Sequence, residues 1–271
     1  AIVDYTQKVV YLKDDDMVEL DAKTYRITDQ ARAEVRRKIQ NIDFSADQVA
    51  RGNFPHFMLK EIYEQPKAIE DSLRGRMNAQ QGWIKLGGLN EYINRIDKAE
   101  RFIVTACGTS WHSGLIGEYL IEDLARVPVE VEYASEFRYR NPIINENDVV
   151  IAISQSGETA DTLAAISLAK DRQALIYGIC NVIGSSIART AHAGSYTHAG
   201  PEIGVASTKA FTGQLAVLTM MALNIAMHKG RITKERYQTL LRELEQVPEK
   251  VQTILKGANK IKEIADKYKN A

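Results

Sequence analysis

The sequence predicts an α/β fold in which a parallel sheet is covered by helices on both faces. Between about Glu100 and Lys229, short apolar runs alternate with helical patterns along the chain. Two of these runs, Val149 to Ile153 and Leu175 to Cys180, are apolar throughout, as strands buried on both faces are. Together these observations indicate a three-layer α/β/α sandwich.

The opening segment, residues 1–28, favours strands. Val9 to Leu12 and Met17 to Leu20 are apolar runs, and Lys13 to Asp16 between them has the composition of a turn. A few short strands cannot bury a core alone. We therefore interpret residues 1–28 as the trailing edge of a domain that lies upstream.

Residues 29–80 are charged and are predicted to form a mostly helical linker. Asn53 is expected to cap a helix whose first turn contains Pro55. Pro66 is expected to kink or end that helix, because proline lacks the N–H that a helix interior needs.

The α/β region is predicted to span residues 81–240. Its expected strands cover residues 102–106, 129–133, 149–153, 175–180 and 194–197, and its expected helices cover residues 115–124, 162–169 and 209–228. Residues 241–271, rich in Glu and Lys, are predicted to be a helical connector to a further domain.

Composition excludes several classes of protein. Lys plus Arg and Asp plus Glu are both 35, so the net charge is zero, which argues against nucleic acid and anionic membranes as partners. The two cysteines give neither a disulfide framework nor a zinc motif, and they suit a reducing cytoplasm. We expect no metal and no cofactor. The apolar run from Leu215 to Met227 is too short to span a bilayer and predicts a buried helix.

Two turns that follow predicted strands carry the chemistry. In an open parallel sheet, ligands bind beyond the carboxyl ends of the strands. Cys107 to Ser110 follows the first strand, and Ser154 to Thr159 follows the strand that ends at Ile153. Hydroxyl and amide donors at helix N-termini can hold a phosphate without Lys or Arg. Each turn alone would more often be a helix cap, but two such turns in one sheet favour a shared ligand.

Other candidate groups carry less weight. Neither a P-loop nor a dinucleotide-binding glycine motif is present. Cys107 has no evident base beside it, so we expect a buried strand-end residue. The segment from Gly200 to Lys209 is predicted to be an ordered loop that closes over a sugar, or simply a loop in which Ser207 caps the next helix.

Five segments in register resemble the glucosamine-6-phosphate synthase family, in the first of its two sugar isomerase (SIS) domains. They are Cys107–Ser110, Ala134–Tyr139, Ser154–Thr162, Ile179–Val182 and Gly204–Thr212. The resemblance covers essentially the whole chain. It implies a flavodoxin-like sheet within residues 81–240, the end of a glutaminase domain in residues 1–28, and a homodimer.

The family makes glucosamine 6-phosphate and glutamate from fructose 6-phosphate and glutamine. The resemblance implies eight substrate-binding residues: Thr109, Ser110, Ser154, Gln155, Ser156 and Thr159 for the phosphate and nearby hydroxyls, and Val205 and Ser207 for the sugar. The family's glutaminase cysteine and isomerisation residues match nothing in this chain. Glu158 and Glu202 are the nearest carboxylates, and both have ready structural roles. We therefore expect no catalytic residue here, weak sugar-phosphate binding and no turnover.

Two other interpretations remain. A lone SIS domain could be a regulatory module that senses a sugar phosphate, although a regulator should carry a basic helix-turn-helix upstream, where this chain has strands and an acidic turn. The domain could also act mainly as a scaffold for dimerisation.

Overall fold

The structure is a computed structural model that describes residues 5–41 and 50–270. The chain divides into two compact units, residues 1–50 and residues 51–271. The first unit is a small β structure, and the second contains the large parallel sheet.

The described part of the first unit contains four short strands. They are β1 (Lys8–Val10), β2 (Met17–Leu20), β3 (Tyr25–Thr28) and β4 (Ile39–Asn41). β2 and β3 form an antiparallel hairpin, and β1 pairs with β4. Asp21 closes the hairpin, because its carboxylate accepts the N–H groups of Lys23 and Thr24, each at 2.7 Å. The predicted turn at Lys13 to Asp16 does form, but it joins β1 and β2, which pair with other strands.

The expectation of a mostly helical linker over residues 29–80 is wrong for its first part. Residues 39–41 are strand β4, whose backbone groups are satisfied by β1 rather than by a helical turn. Among the described residues of the linker, the helix is α1 (Phe57–Leu73), and the short strands β5 (Met77–Asn78) and β6 (Trp83–Ile84) follow it. The part of the linker prediction on residues 42–49 lies outside the described residues.

Helix α1 corrects two local predictions. It begins at Phe57 with His56 at the N-cap, so neither Asn53 nor Pro55 belongs to its first turn. It also continues through Pro66 to Leu73. Pro66 cannot donate to the carbonyl of Ile62, four residues earlier. The side-chain amide of Gln65 donates to that carbonyl instead, at 3.0 Å, which allows the helix to continue.

The second unit is built around a five-stranded parallel sheet, as predicted. Its strands are β7 (Arg101–Ala106), β8 (Val129–Tyr133), β9 (Asp148–Ser154), β10 (Leu175–Cys180) and β11 (Ala193–Tyr196). The spatial order is β11-β10-β9-β7-β8, and every pair is parallel. Numbered within the sheet, this order is 2-1-3-4-5, which confirms the flavodoxin-like prediction.

Helices cover both faces of the sheet. The helices from α2 onward are α2 (Gly87–Glu91), α3 (Ile93–Lys98), α4 (Gly108–Ala125), α5 (Ala134–Tyr139), α6 (Ala160–Asp171), α7 (Ser186–Thr190), α8 (Lys209–His228), α9 (Lys234–Glu245), α10 (Val247–Lys256) and α11 (Ala258–Tyr268). Alternate strand residues feed two separate clusters: Phe102 and Val104 pack with α4 and α8, while Ile103 packs with α5, α6 and α7. The three-layer α/β/α prediction is therefore confirmed.

Helix α8 is the apolar segment of the sequence, and its predicted bounds are confirmed. Among the described residues it alone has the length and apolarity of a membrane span, but 67% of its most apolar window is buried in the protein. Such burial is typical of the core helix of a globular domain. After α8, the predicted helical tail divides into three helices, α9 to α11, and Thr233 caps the first of them.

Candidate functional site at the switch point of the sheet

The two predicted turns are brought side by side by the topology of the sheet. From β7 the chain moves to β8 on one side, whereas β9, β10 and β11 extend to the other side. The switch point therefore lies between β7 and β9, where Ala106 pairs with Ile153. Cys107 and Ser154 come directly after that pair. Such a crevice is where ligands bind in open α/β sheets.

The first turn is a sharp entry into helix α4. Gly108 has φ +57°, a left-handed conformation that glycine adopts without a steric penalty. Thr109 is half-buried in the first turn of the helix, and Ser110 is buried. Their hydroxyls therefore lie where free N–H groups and the positive end of the helix dipole already favour an anion.

Ser110 is fixed by a residue that the sequence did not single out. Gln214, on helix α8 and 1% exposed, donates from Nε2 to Ser110 Oγ at 2.9 Å. Its Oε1 accepts from Ser113 Oγ, also at 2.9 Å. A polar side chain within an apolar helix was the available signal, but its partners lie about a hundred residues earlier in the chain.

The second turn is held by its own hydroxyls. Ser154 Oγ accepts the N–H of Gly157 at 3.0 Å and lies 2.9 Å from Thr159 Oγ1. Ser156 Oγ accepts the N–H of Glu158 at 3.1 Å. Thr159 is the N-cap of helix α6, although its side chain makes no capping bond, so its hydroxyl is directed to Ser154. The cap interpretation of this turn therefore accounts for only part of its polar groups.

Gly157 lets the second turn lie against the loop that follows β10. Its φ is +67°, and a Cβ at this position would lie 2.0 Å from Ser185 Oγ. Asn181 binds the same turn, since its N–H donates to the carbonyl oxygen of Gln155 at 3.1 Å. Gln155 itself is half-buried at the mouth of the crevice. The backbone of the turn is thus fixed on both sides.

Val205 and Ser207 lie on the loop that leads into helix α8. Val205 is fully exposed and Ser207 is half-buried. Ser207 is not the helix cap: Thr208 occupies the N-cap, and Glu202 Oε1 accepts the N–H groups of Thr208 and Ala210, at 2.8 and 3.2 Å. A carboxylate satisfies two N–H groups here and also complements the helix dipole, which a serine hydroxyl does less well.

Helix α8 links this loop to the first turn. Gln214, in the second turn of α8, reaches Ser110, so the N-terminal end of α8 lies at the carboxyl edge of the sheet. The loop with Val205 and Ser207 leads into this same end of α8. The structure does not place these two side chains in contact with the six residues of the turns.

The carboxylates closest to the site are already engaged, as the sequence predicts. Glu158 Oε1 accepts the N–H of Ser186 at 2.8 Å, and Glu202 caps helix α8. Burial raises the pKa of the Cys180 thiol to about 11, so it stays neutral at physiological pH. Both carboxylates therefore have a structural role through Oε1, whereas the buried Oε2 of Glu202 has no partner among the described residues. The neutral, buried Cys180 thiol is not activated as a nucleophile.

A separate cleft of about 430 Å³ lies away from the switch point. It is lined by Tyr119, Glu122, Asp123, Arg126, Val127 and Pro128. These residues surround the C-terminal end of α4, whereas the two turns lie at the N-terminal ends of α4 and α6. The cleft therefore offers none of the N-terminal N–H groups that favour an anion.

Comparisons with known proteins agree with this fold. Residues 95–224 match the family model of the SIS domain. The glutamine–fructose-6-phosphate aminotransferase of Chlorobaculum tepidum is 55% identical over 100% of this chain. That of Bacteroides thetaiotaomicron is 54% identical over 98% of this chain. A solved C-terminal domain of glucosamine-fructose-6-phosphate aminotransferase from Francisella tularensis is 37% identical, with a TM-score of 0.76, over 82% of this chain and 61% of that one.

The fold and its switch-point site thus define a SIS-domain protein. Along its whole length, the chain belongs to the glutamine–fructose-6-phosphate aminotransferase family. It spans 44% of the length of these two curated relatives, so it corresponds to a region of such an enzyme. This match favours the enzyme interpretation over a lone regulatory module.

Proposed function

We propose that this chain binds the sugar phosphate in an enzyme that converts fructose 6-phosphate and glutamine to glucosamine 6-phosphate and glutamate. One observation carries the proposal: two hydroxyl-rich turns, each at the start of a helix, meet at the switch point of a parallel sheet. The names of the relatives indicate which phosphate ester suits such a site.

The phosphate is bound by the two turns. Thr109, Ser110, Ser154, Ser156 and Thr159 supply hydroxyls, Gln155 supplies an amide, and the first turns of α4 and α6 supply backbone N–H groups. Hydrogen bonds to a charged acceptor are about twice as strong as neutral ones. A set of such donors holds a dianion without a cationic side chain and matches the zero net charge of the chain.

The sugar lies toward the loop that enters helix α8. Ser207 offers a hydroxyl to the sugar, and Val205 presents an apolar side chain to the carbon skeleton. Val205 is fully exposed, so its side chain is accessible to a ligand. Bound sugar would therefore connect this loop with the two turns.

Turnover needs groups that we do not assign to this chain. Shifting a proton between sugar carbons 1 and 2 requires a positioned base. Glu158 Oε1 accepts the N–H of Ser186, and Glu202 Oε1 accepts those of Thr208 and Ala210, so both carboxylates already serve the backbone. We therefore propose that the chain binds substrate and leaves isomerisation and glutamine hydrolysis to other parts of the enzyme.

The compartment and the oligomeric state are also proposed from the family resemblance. We propose a cytoplasmic homodimer, supported by two free cysteines and by the family resemblance. Light scattering on the purified chain tests the dimer, and a mass of about 30.4 kDa would indicate a monomer instead.

Calorimetric titration tests the binding proposal. The chain is titrated with fructose 6-phosphate and, separately, with fructose. We expect heat from the ester and none from fructose, because the two turns recognise the phosphate. Equal heats would contradict the phosphate anchor, and amino-sugar formation by the chain alone would contradict the absence of a catalytic base.

A further inference from the structure

The loop of residues 200–208 is held by a buried carboxylate from helix α1. Glu61 is 2% exposed, and its Oε1 accepts the N–H of Ile203 at 2.6 Å and that of Gly204 at 3.1 Å. Its Oε2 lies at 3.1 Å from the same N–H of Gly204. Because these two residues come directly before Val205, Glu61 fixes the backbone from which that side chain projects.

Gly204 lies directly against this carboxylate, and its lack of a side chain leaves room for the close contact. A Cβ on Gly204 would lie 2.5 Å from Glu61 Oε2, while its other neighbours, atoms of Met58, would be at ordinary contact distances of 3.4 Å or more. The backbone of Gly204 is not in the left-handed region. A Cβ at this position would therefore be obstructed by the Glu61 carboxylate and not by backbone strain.

Helix α1 also holds the end of the loop. Lys209, the first residue of α8, is 3% exposed, and its Nζ lies 2.7 Å from Glu64 Oε2. Glu64 follows Glu61 by three residues, so both carboxylates lie on one side of α1. This helix lies outside the segment that matches the SIS family model, residues 95–224.

We propose that Glu61 is a positioning residue for the sugar end of the site, an inference that rests on the proposed function. Its carboxylate orders Ile203 and Gly204, and through them it sets where Val205 and Ser207 meet the sugar. The two phosphate-binding turns are held by other residues, namely Gln214, Asn181 and the hydroxyls of the second turn. Glu61 therefore governs affinity for the sugar and leaves the phosphate anchor unchanged.

The test compares two ligands on matched variants. Glu61→Gln replaces an acceptor-only group with one whose NH₂ must face a backbone N–H. Glu70→Gln makes the same change on the same helix, at a side chain that is 59% exposed. Calorimetry with fructose 6-phosphate and with inorganic phosphate is run on the wild-type chain and both variants, and hydrogen exchange at Ile203 and Gly204 is measured without ligand.

For Glu61→Gln we expect about a tenfold loss of affinity for fructose 6-phosphate, of the size of one lost charge-assisted hydrogen bond. Affinity for inorganic phosphate should stay at the wild-type value, and the Ile203 and Gly204 amides should exchange faster. Glu70→Gln should match the wild type throughout. A defect in overall folding would instead lower the affinity for both ligands.

A double-mutant cycle tests the contact between Glu61 and Gly204 independently of the Glu61→Gln variant. Gly204→Ala alone should weaken fructose 6-phosphate binding, because its Cβ displaces Glu61 or the loop. In the Glu61→Ala background the carboxylate is absent, so adding Gly204→Ala should cost little more. Strictly additive losses would contradict a direct contact between the two residues.

The outcomes separate this inference from the proposed function. If Glu61→Gln binds both ligands as the wild type does, or loses both equally, the positioning role is overturned while phosphate binding by the chain stands. If the wild-type chain does not distinguish fructose 6-phosphate from fructose, the proposed function fails and this inference fails with it.

Discussion

Gln214 Nε2 and Ser110 Oγ lie 2.9 Å apart, although the two residues are separated by 104 positions in the chain. This bond connects the core helix α8 to the first turn of the proposed phosphate site. The amide also bonds to Ser113, so it orients the start of helix α4 through two hydroxyls.

Replacing Gln214 by methionine should weaken fructose 6-phosphate binding by about tenfold, because the Ser110 hydroxyl loses the partner that orients it. Asn224→Met, on the same helix, removes an amide whose bond to the Ile84 carbonyl is 3.3 Å long and lies away from the turns. Calorimetry on both variants checks this. Equal affinities in the two variants would show that Gln214 serves stability alone.

Ser154→Ala should lower fructose 6-phosphate affinity by about tenfold or more while the chain remains folded. The change removes the acceptor for the Gly157 N–H and the partner of Thr159, so the second turn loses a donor and its internal bracing. Ser167→Ala, an exposed serine on helix α6, is the control. Unchanged binding in Ser154→Ala with an intact circular dichroism spectrum would favour the scaffold interpretation.

Gly157→Ala should be more destabilising than Gly108→Ala. Both glycines have positive φ, so alanine costs about 1–2 kcal/mol at either position. Only at Gly157 does the new Cβ meet an atom, Ser185 Oγ at 2.0 Å, whereas nothing lies within 4 Å at Gly108. Overpacking should add about 1–3 kcal/mol, measurable by urea denaturation.

The Ser185→Gly background provides the control for this comparison. Without the serine side chain, the excess cost of Gly157→Ala over Gly108→Ala should largely disappear. If the excess persists, contact with Ser185 is not its cause.

The two cysteines should differ in reactivity. Burial raises the pKa of Cys180 to about 11, so at pH 8 only about a thousandth of its thiol is thiolate, and the side chain is 1% exposed. Cys107 is partly exposed beside the first turn. Iodoacetamide at pH 8, followed by mass spectrometry, should modify Cys107 and spare Cys180, and fructose 6-phosphate should slow the reaction.

The Cys107→Ser variant should show no modification at pH 8. Labelling of Cys180 should begin only as the pH approaches 11, because its thiol then ionises, or when the chain unfolds, because the side chain then becomes exposed. Modification of Cys180 in the folded chain at pH 8 would contradict its burial.

Sequence reasoning predicted most of the sheet because those strands are buried on both faces. Leu175–Cys180, Val129–Tyr133 and the helix Lys209–His228 have the predicted bounds, since an apolar run begins and ends where burial does. Pairing in the first unit was harder. The partner of β1 is Ile39–Asn41, a short strand of mixed polarity that has no strong pattern of its own.

The candidate site, like the fold, could be predicted from the sequence only in part. Thr109, Ser110 and the turn from Ser154 to Thr159 could be located, because their position after a strand defines their place in the sheet. Glu61 and Gln214 could not be assigned, because their partners lie more than a hundred residues away. A charged residue in a polar helix and an amide in an apolar helix give little local signal of a distant bond.

The most direct test of a sugar-phosphate site at the switch point is an NMR titration of the isotope-labelled chain with fructose 6-phosphate. We expect the largest amide shifts at Gly108–Ser110 and Gln155–Thr159, with smaller shifts near Val205. Shifts confined to the cleft around Tyr119 and Arg126, with the two turns unaffected, would contradict it.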